Sequence, residues 1–124
     1  MRILLDTPIL LWWLAADSRL PHAALAAIGE PSADVYVSAI SVAEISIKSS
    51  LGKLSVQGDL AGAVQESGFS FLPFTAEHAT RLADLPWPHR DPFDRMLIVQ
   101  AMVDSMTFAS VDPACRSYDV RLLF

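Results

Sequence analysis

Four acidic side chains in this sequence follow predicted strands or begin predicted helices, and they are Asp6, Glu44, Asp94 and Asp112. Asp6 and Asp112 each end an apolar run and have a proline within two residues, whereas Asp94 precedes a long apolar run. In a parallel α/β sheet, the ends of the strands and the starts of the following helices lie along one edge. We therefore expect the four carboxylates to lie close together.

Carboxylates that lie close together raise one another's pKa, and they cannot all stay ionised unless cations neutralise them. The pattern favours Mg²⁺ or Mn²⁺, because hard divalent ions take oxygen ligands and keep positions for water and substrate phosphates. Two such ions about 4 Å apart can hold a phosphodiester for in-line attack by water. The four acids therefore predict metal-dependent hydrolysis of a phosphodiester.

The stretch His89–Arg95 contains the third of these acids. Asp91 followed by Pro92 is typical of a helix start, and the apolar run 96–103 continues it as a buried helix. Asp94 then lies at the third helical position and points back toward the helix N-terminus. An Asp-x-x-Asp pattern can also be a capping box without further function, and this segment alone leaves both interpretations open.

Glu44 has a similar predicted placement. Ser41 and Glu44 form a Ser-x-x-Glu capping box, which predicts a helix after the strand 34–38 and puts Glu44 at the same position as Asp94. Lys48, four residues after Glu44, can pair with it along the helix, an interaction worth about 0.2 to 0.5 kcal/mol. Two acids at equivalent positions favour a shared site over capping alone.

Alternating strands and helices are predicted to position these acids. Short apolar or β-branched runs predict strands, and helical periodicity with capping residues predicts helices. The predicted strands are 2–6, 34–38, 69–72, 106–111 and 120–123, and the predicted helices are 9–16, 22–28, 41–51, 58–68, 75–83 and 92–103. This order predicts an α/β fold with a central parallel sheet of about five strands, flanked by helices on both faces.

The composition is that of one globular domain of 124 residues, with 52% apolar and 19% charged residues. The mean hydropathy of +0.37 indicates a sheet covered on both faces. The net charge of −5 argues against a broad basic surface for nucleic acid. RNA binding would need metal ions or a small basic rim, for which the candidates are Lys48, Lys53, Arg90 and Arg95.

Compartment and membrane association are predicted from the cysteine count and from the N-terminal run. The single cysteine, Cys115, excludes an internal disulfide and a cysteine metal cluster, which is consistent with a reducing cytoplasm. We do not expect it to be a nucleophile. Asp6 and Pro8 interrupt the N-terminal apolar run, which is therefore predicted as a strand and a helix rather than a signal peptide. No apolar run approaches the roughly 20 residues that cross a bilayer, so we expect a cytoplasmic protein without membrane association.

The helix 9–16 carries more large apolar side chains than one face can bury. Trp12 and Trp13 can lie at the edge of the core or bind a partner, and both interpretations stay open. His89, in the proline-rich loop 85–89, is either a general base or an ordinary surface residue.

The sequence resembles the PIN domain, and more closely the VapC toxins of bacterial type II toxin-antitoxin pairs. The segments that carry the resemblance are 4–7, 10–14, 38–48, 51–54, 89–95 and 110–112, which span nearly the whole chain. The resemblance implies a metal-dependent ribonuclease with a central parallel sheet, usually dimeric, that a cognate antitoxin holds inactive.

The resemblance also assigns site residues. The acids that match the family's metal-binding positions are Asp6, Glu44, Asp94 and, as the fourth, Asp112. Asp91 could reach the metals, but its place before Pro92 makes helix capping the better explanation. The chain has Pro8 where members often have histidine and Ser110 where they often have threonine. Ser110 keeps the hydroxyl and no metal ligand is lost, so we expect an active enzyme.

Two hypotheses follow, from different functional classes. In the first, metal-bound water attacks RNA, and the antitoxin covers a groove formed partly by Trp12 and Trp13 while an Arg or Lys enters the acidic pocket. In the second, the acidic edge binds a cation or a basic peptide as a regulatory module without catalysis. Growth arrest on expression, with an antitoxin-like reading frame upstream, would favour the toxin.

Overall fold

A computed structural model of the chain describes residues 1–56, 58–86 and 91–124. Within these residues, four strands form one sheet and six α-helices surround it. The strands are β1 (Arg2–Leu5), β2 (Asp34–Ser38), β3 (Ser70–Leu72) and β4 (Thr107–Ala109). The helices are α1 (Thr7–Leu14), α2 (His22–Gly29), α3 (Ala39–Ser50), α4 (Leu60–Glu66), α5 (Ala76–Arg81) and α6 (Pro92–Val103), with 3-10 helices at Leu82–Asp84 and Pro113–Ser117.

The sheet is parallel throughout and has the order β3-β2-β1-β4. Leu5 at the end of β1 is aligned with Val37 of β2 on one side and with Ala109 of β4 on the other. The chain thus runs from β1 outward to β2 and β3, and then crosses to the opposite side of β1. Open α/β sheets bind ligands at the carboxyl ends of the strands where the order reverses, which here is the crevice between β1 and β4.

Both faces of the sheet are covered, which explains the uninterrupted apolar run in β1. Ile3 and Leu5 belong to a core that α1, α2, α3 and α4 share, whereas Leu4 belongs to a second core with Ile98 of α6 and Phe108 of β4. All five side chains are fully buried, as expected for a parallel sheet between two helical layers. The predicted α/β architecture is confirmed. Of the helices described, none is long and apolar enough to cross a membrane.

The predicted fifth strand, 120–123, is reduced to a parallel bridge between Leu122 and Phe108. The backbone N–H of Phe108 donates to Arg121 O at 2.7 Å, and that of Leu123 donates to Phe108 O at 3.0 Å. Because β4 itself has three residues, it offers few backbone groups for a further ladder. The described sheet is therefore four strands with one bridge at its edge.

Helix α3 begins earlier than the sequence pattern predicted. Ser38 is its N-cap, with Oγ accepting a hydrogen bond from the Ile40 N–H at 2.9 Å. With Ala39 as the first helical residue, Glu44 is the sixth and not the third, and Ser41 lies inside the helix. The predicted Ser-x-x-Glu capping box is wrong, because the serine that ends β2 already caps the helix.

Helix α6 begins where it was predicted. The Asp91 carboxylate accepts a hydrogen bond from the Phe93 N–H at 2.9 Å, Pro92 is the first helical residue, and Asp94 lies in the first turn. Among the described residues no strand leads directly into this helix, since α5 and a 3-10 helix lie between β3 and α6. Asp91 is thus a helix cap, as the Asp-Pro pattern indicated.

His78 joins α5 to the end of α6. Its ring is buried, with Nδ1 accepting from the Thr75 N–H at 2.9 Å and Nε2 lying 2.9 Å from Asp104 Oδ2. Because Nδ1 accepts the backbone hydrogen bond, Nε2 carries the ring proton and donates to the Asp104 carboxylate. The histidine therefore fixes the position of α5 against α6.

We expect His78→Ala to lower the free energy of unfolding by about 1 to 3 kcal/mol, because the Thr75 N–H and the Asp104 carboxylate lose their partner. Urea denaturation followed by circular dichroism measures this loss. The control is Thr80→Ala, which removes an exposed hydroxyl bonded to Ala76 O on the same helix and should cost less than about 0.5 kcal/mol. Equal losses in the two variants would contradict the joining role of His78.

Candidate functional site

Asp6 lies in the crevice between β1 and β4, where both its backbone and its side chain are fixed. Its N–H donates to Ala109 O at 3.0 Å, which holds the end of β1 against β4. Its Oδ1 accepts the Ile9 N–H at 2.9 Å as the N-cap of α1, and the Ser110 hydroxyl bonds to the same carboxylate. Only 3% of Asp6 is exposed. The fold therefore holds a buried carboxylate at the point where open sheets bind ligands.

Burial raises the pKa of Asp6 from its ordinary value of 3.8 to about 7, because the ionised form loses hydration. The hydrogen bonds from Ile9 and Ser110 act in the opposite direction, and the carboxylates of Asp94 and Asp112 raise the pKa further. Asp94 of α6 and Asp112, which follows β4, therefore act electrostatically on Asp6 at the carboxyl edge of the sheet. We call this region, together with Glu44, the acidic edge.

Asp112 and Ser110 form the β4 side of the acidic edge. Asp112 is half-buried and caps the 3-10 helix 113–117, with Oδ1 accepting from the Ala114 N–H at 2.9 Å. Its own N–H donates to Ser110 Oγ at 3.1 Å. Ser110 is thus bonded to the Asp6 carboxylate and to the main chain of Asp112, so its hydroxyl orients the first acid and fixes the backbone of the second.

Glu44 is buried on α3, and both of its carboxylate oxygens accept hydrogen bonds. Thr7 Oγ1 donates to Oε1 at 2.7 Å, and Lys48 Nζ donates to Oε2 at 2.6 Å, so the predicted pairing with Lys48 is confirmed. Thr7 Oγ1 also lies 3.0 Å from Ser41 Oγ. Because Thr7 follows Asp6 in the chain, its hydroxyl joins α3 to the end of β1. We did not predict this role, although a threonine next to a candidate acid was the available signal.

Lys48 faces more than one carboxylate. Its hydrogen bond to Glu44 is the main reason that its pKa is raised, and Glu44, Asp91 and Asp94 contribute through their charge. The ammonium therefore bonds to Glu44 on its own helix and lies within electrostatic range of the acids at the start of α6. Asp91, assigned above to helix capping, still contributes negative charge to this part of the acidic edge.

Arg95 is not part of a basic rim. The residue is 3% exposed, and its guanidinium donates to Pro86 O at 2.5 Å, to Leu85 O at 3.2 Å and to the Tyr118 hydroxyl at 3.3 Å. The interpretation of Arg95 as a contact for RNA is wrong, because the side chain turns inward to the main chain that precedes α6. A planar group with several donors suits such main-chain carbonyls.

The Cys115 thiol is unsuited to nucleophilic chemistry, as expected. Burial raises its pKa to about 11, and the nearby carboxylates of Asp112 and Asp94 add to the effect. The thiol is therefore protonated at neutral pH. His89, the predicted alternative base, and Arg90 lie outside the described residues, so these two predictions stay open.

An open groove of about 840 Å³ leads away from Glu44. Polar side chains line one part of it, namely Thr7, Glu44 and Lys48. The lining also includes the apolar or basic side chains of Leu11, Trp12, Leu14, Arg19, Lys53, Leu54 and Val56. The groove therefore joins an acidic end to an apolar wall, with Lys53 and the Arg19–Asp17 ion pair also lining it.

The two tryptophans of α1 have different surroundings. Trp12 lines the groove, and the Arg19 guanidinium lies 5.3 Å from the centre of its ring. Trp13 donates from Nε1 to Ser67 Oγ at 3.2 Å and packs on Phe69 with ring centres 5.5 Å apart. Trp12 therefore lies on the wall of the groove beside Arg19, whereas Trp13 mainly packs within the molecule.

The acidic edge suits a hard divalent cation by the type of its donors, which are carboxylate oxygens that repel one another. Among the residues described, no three Asp, Glu, His or Cys side chains are arranged to hold a metal ion. In this arrangement the raised pKa of Asp6 and the ammonium of Lys48, rather than a metal ion, reduce the negative charge of the acidic edge. The acids thus fit such an ion chemically, and they would have to rearrange to hold it.

The comparisons with known proteins agree with this architecture. Residues 3–120 match the family model of the PIN domain. No curated protein sequence matches the chain significantly. Among solved structures, VapBC2 from Rickettsia felis bound to a DNA fragment from their promoter is similar with a TM-score of 0.71 and 14% identity, covering 98% of this chain and 96% of the matched one.

Two further solved structures cover nearly the whole chain. FitAB bound to an IR36 DNA fragment has a TM-score of 0.63 and 24% identity, and covers 97% of this chain and 92% of the matched one. FitAcB from Neisseria gonorrhoeae has a TM-score of 0.61 and 23% identity, and the match covers 97% of this chain and 95% of the matched one. At these identities the likeness shows a shared fold over the full length.

Proposed function

Because the chain belongs to the PIN domain family, we propose that it is a metal-dependent endoribonuclease and the toxin of a type II toxin-antitoxin pair. PIN domains are generally nucleases. The observation that carries the proposal is the buried Asp6 carboxylate, which Asp94 and Asp112 influence from α6 and β4. A purely structural N-cap would need neither this burial nor these neighbours.

The residues that would hold Mg²⁺ or Mn²⁺ are Asp6, Glu44, Asp94 and Asp112. When bound, the ion supplies charge neutralisation at the phosphate and water activated for attack at neutral pH. Ser110 orients Asp6 and fixes the backbone of Asp112, and Thr7 orients Glu44. Asp91 keeps its capping role.

The groove offers a path for the RNA backbone despite the net negative charge. Lys53 lines it, Arg19 lines it in an ion pair with Asp17 at 2.8 Å, and Lys48 lies at its acidic end. Basic side chains of this kind neutralise phosphates without reading sequence, so they position RNA rather than choose the cleavage site. Cleavage should therefore weaken as salt rises.

The same groove is the proposed site of the antitoxin. An apolar segment of the antitoxin would cover Trp12 and its apolar neighbours, and an Arg or Lys of that segment would pair with the acidic edge. Inhibition would then compete with metal. VapBC2 and FitAB, to which this fold is similar, are each bound to DNA in the solved structures. We propose that this chain forms a complex with its antitoxin, built on a homodimer of the toxin, and that the complex binds DNA.

The test uses the purified chain freed of antitoxin. We expect cleavage of cellular RNA with Mg²⁺ or Mn²⁺ and no cleavage with chelator, and growth arrest when the chain is expressed alone. Sequencing the 5′ ends of cellular RNAs after induction then identifies the target. Harmless expression together with intact RNA in every divalent ion would contradict the proposal and favour a cation- or peptide-binding module without catalysis.

A further inference from the structure

We infer that Lys48 is a built-in cation of the acidic edge that competes with a divalent metal ion for Glu44. This inference rests on the proposed function, because it concerns metal binding at the same acids. The observation that carries it is the 2.6 Å contact between Lys48 Nζ and Glu44 Oε2. Competition follows because that oxygen can bond to the ammonium or to a metal ion, and not strongly to both.

The pair differs from an ordinary ion pair on a helix surface. Such pairs join two exposed side chains and contribute little to stability. Here the Glu44 side chain is 7% exposed and that of Lys48 is 44% exposed. Glu44 is also held through its other oxygen by Thr7. The carboxylate is therefore fixed, whereas the flexible lysine can leave for solvent.

The charges around Lys48 place it where a metal ion would be attracted. Asp91 and Asp94 act on the ammonium in addition to Glu44, and Asp94 also acts on Asp6. One positive charge thus bonds to Glu44 and is attracted by two further carboxylates at the start of α6. A divalent ion carries twice that charge and prefers carboxylate oxygens, so it can displace the ammonium at a cost set by the Lys48–Glu44 contact.

Displacement would also change the entrance of the groove. Lys48 lines the groove beside Glu44 and Thr7, so a released ammonium stays near the path proposed for the RNA backbone. It can then pair with a phosphate instead of a carboxylate. Metal loading and phosphate binding are thereby coupled through one side chain.

The test is calorimetric titration of MnCl₂ into the purified metal-free chain. We expect Lys48→Met to bind Mn²⁺ about tenfold more tightly than wild type, because the competing cation is gone. Lys48→Arg, which keeps the charge, should stay within about twofold of wild type. Lys53→Met is the matched control, since Lys53 lines the same groove and its loss changes the net charge equally.

Each other outcome overturns the inference. Unchanged or weaker Mn²⁺ binding by Lys48→Met, with wild type still binding, contradicts the competition and leaves the nuclease proposal intact. Equal tightening in Lys48→Met and Lys53→Met indicates a general charge effect. Absence of Mn²⁺ binding in every protein, wild type included, overturns both proposals. Lys48→Gln replaces Lys48→Met if the latter fails to fold, and the rise in Tm caused by Mn²⁺ gives a second readout.

Discussion

Asp6→Asn is expected to lower the rate of RNA cleavage by at least about 100-fold and to make the metal-free protein more stable at pH 8. The loss of cleavage follows because an amide is a poor ligand for Mg²⁺ compared with a carboxylate. The gain in stability follows because the amide is uncharged in a buried position. The amide oxygen can still accept the Ile9 N–H, since asparagine is a good N-cap.

The gain should depend on pH in a defined direction. The pKa of Asp6 is about 7 in the folded chain against an ordinary value of 3.8, so folding favours the protonated carboxyl. The preference of the folded state for the protonated Asp6 carboxyl stabilises the protein fully below about pH 4, and this stabilisation is lost as the pH rises through 7. Above that pH the ionised group costs the folded state up to about 4 kcal/mol. The stability advantage of the Asp6→Asn variant over wild type should therefore grow from pH 4 to pH 8.

Urea denaturation of the metal-free proteins at pH 5 and pH 8 measures this effect, alongside cleavage assays with Mg²⁺. Asp34→Asn is the control, because Asp34 is exposed at the start of β2, at the opposite edge of the sheet. It should leave cleavage and stability nearly unchanged. Full cleavage by Asp6→Asn would remove Asp6 from the catalytic residues, and a gain in stability that does not vary with pH would contradict its raised pKa.

The second large effect is expected at Trp12. Trp12→Ala should weaken binding of the antitoxin by more than about 2 kcal/mol, or about 30-fold, because a half-buried indole on the groove wall is typical of a binding hot spot. Calorimetry with the cognate antitoxin, once a neighbouring reading frame has identified it, measures the loss with and without Mg²⁺. Mg²⁺ should weaken binding to the wild type if the antitoxin's basic residue enters the acidic edge.

Trp13→Ala separates packing from recognition. Its indole contacts Ser67 and Phe69 within the molecule, so we expect a lower free energy of unfolding and a smaller loss of antitoxin affinity. Unchanged affinity in Trp12→Ala would place the antitoxin elsewhere on the surface. A greater loss in Trp13→Ala than in Trp12→Ala would contradict the groove as its site.

The sequence was sufficient to predict those structural features that depend on residues adjacent in the chain. The start of α6 was predicted at the right residue because Asp91 directly before Pro92 determines a helix start locally, and the start of α1 was predicted two residues late, at residue 9 instead of Thr7. The placement of Glu44 was less predictable, because Ser38 and Ser41 are both good caps. The choice depends on where β2 ends, and pairing of Ser38 with Leu72 in β3 determines that end.

Other roles depended on contacts between distant parts of the chain. Arg95 is buried because its partners include Leu85 and Tyr118, 10 and 23 residues away, and no local pattern contains them. Gln100 is the one of these residues that the sequence itself makes conspicuous, because it is a polar residue within the apolar run of α6. Its buried amide accepts from the Ser38 hydroxyl and donates to Pro73 O at 3.2 Å, so it joins α6 to the ends of β2 and β3.

The position of β4 next to β1 has a consequence for how the protein is synthesised. Asp6 emerges from the ribosome first, but its neighbours Ala109, Ser110 and Asp112 emerge about a hundred residues later. The crevice cannot form until this most distant strand pairing is made, and such pairings are slow. A nascent chain surrounded by ribosomal RNA thus lacks an assembled acidic edge until Asp112 has been synthesised. The order of the strands therefore delays assembly of the acidic edge until the segment after β4 has been synthesised.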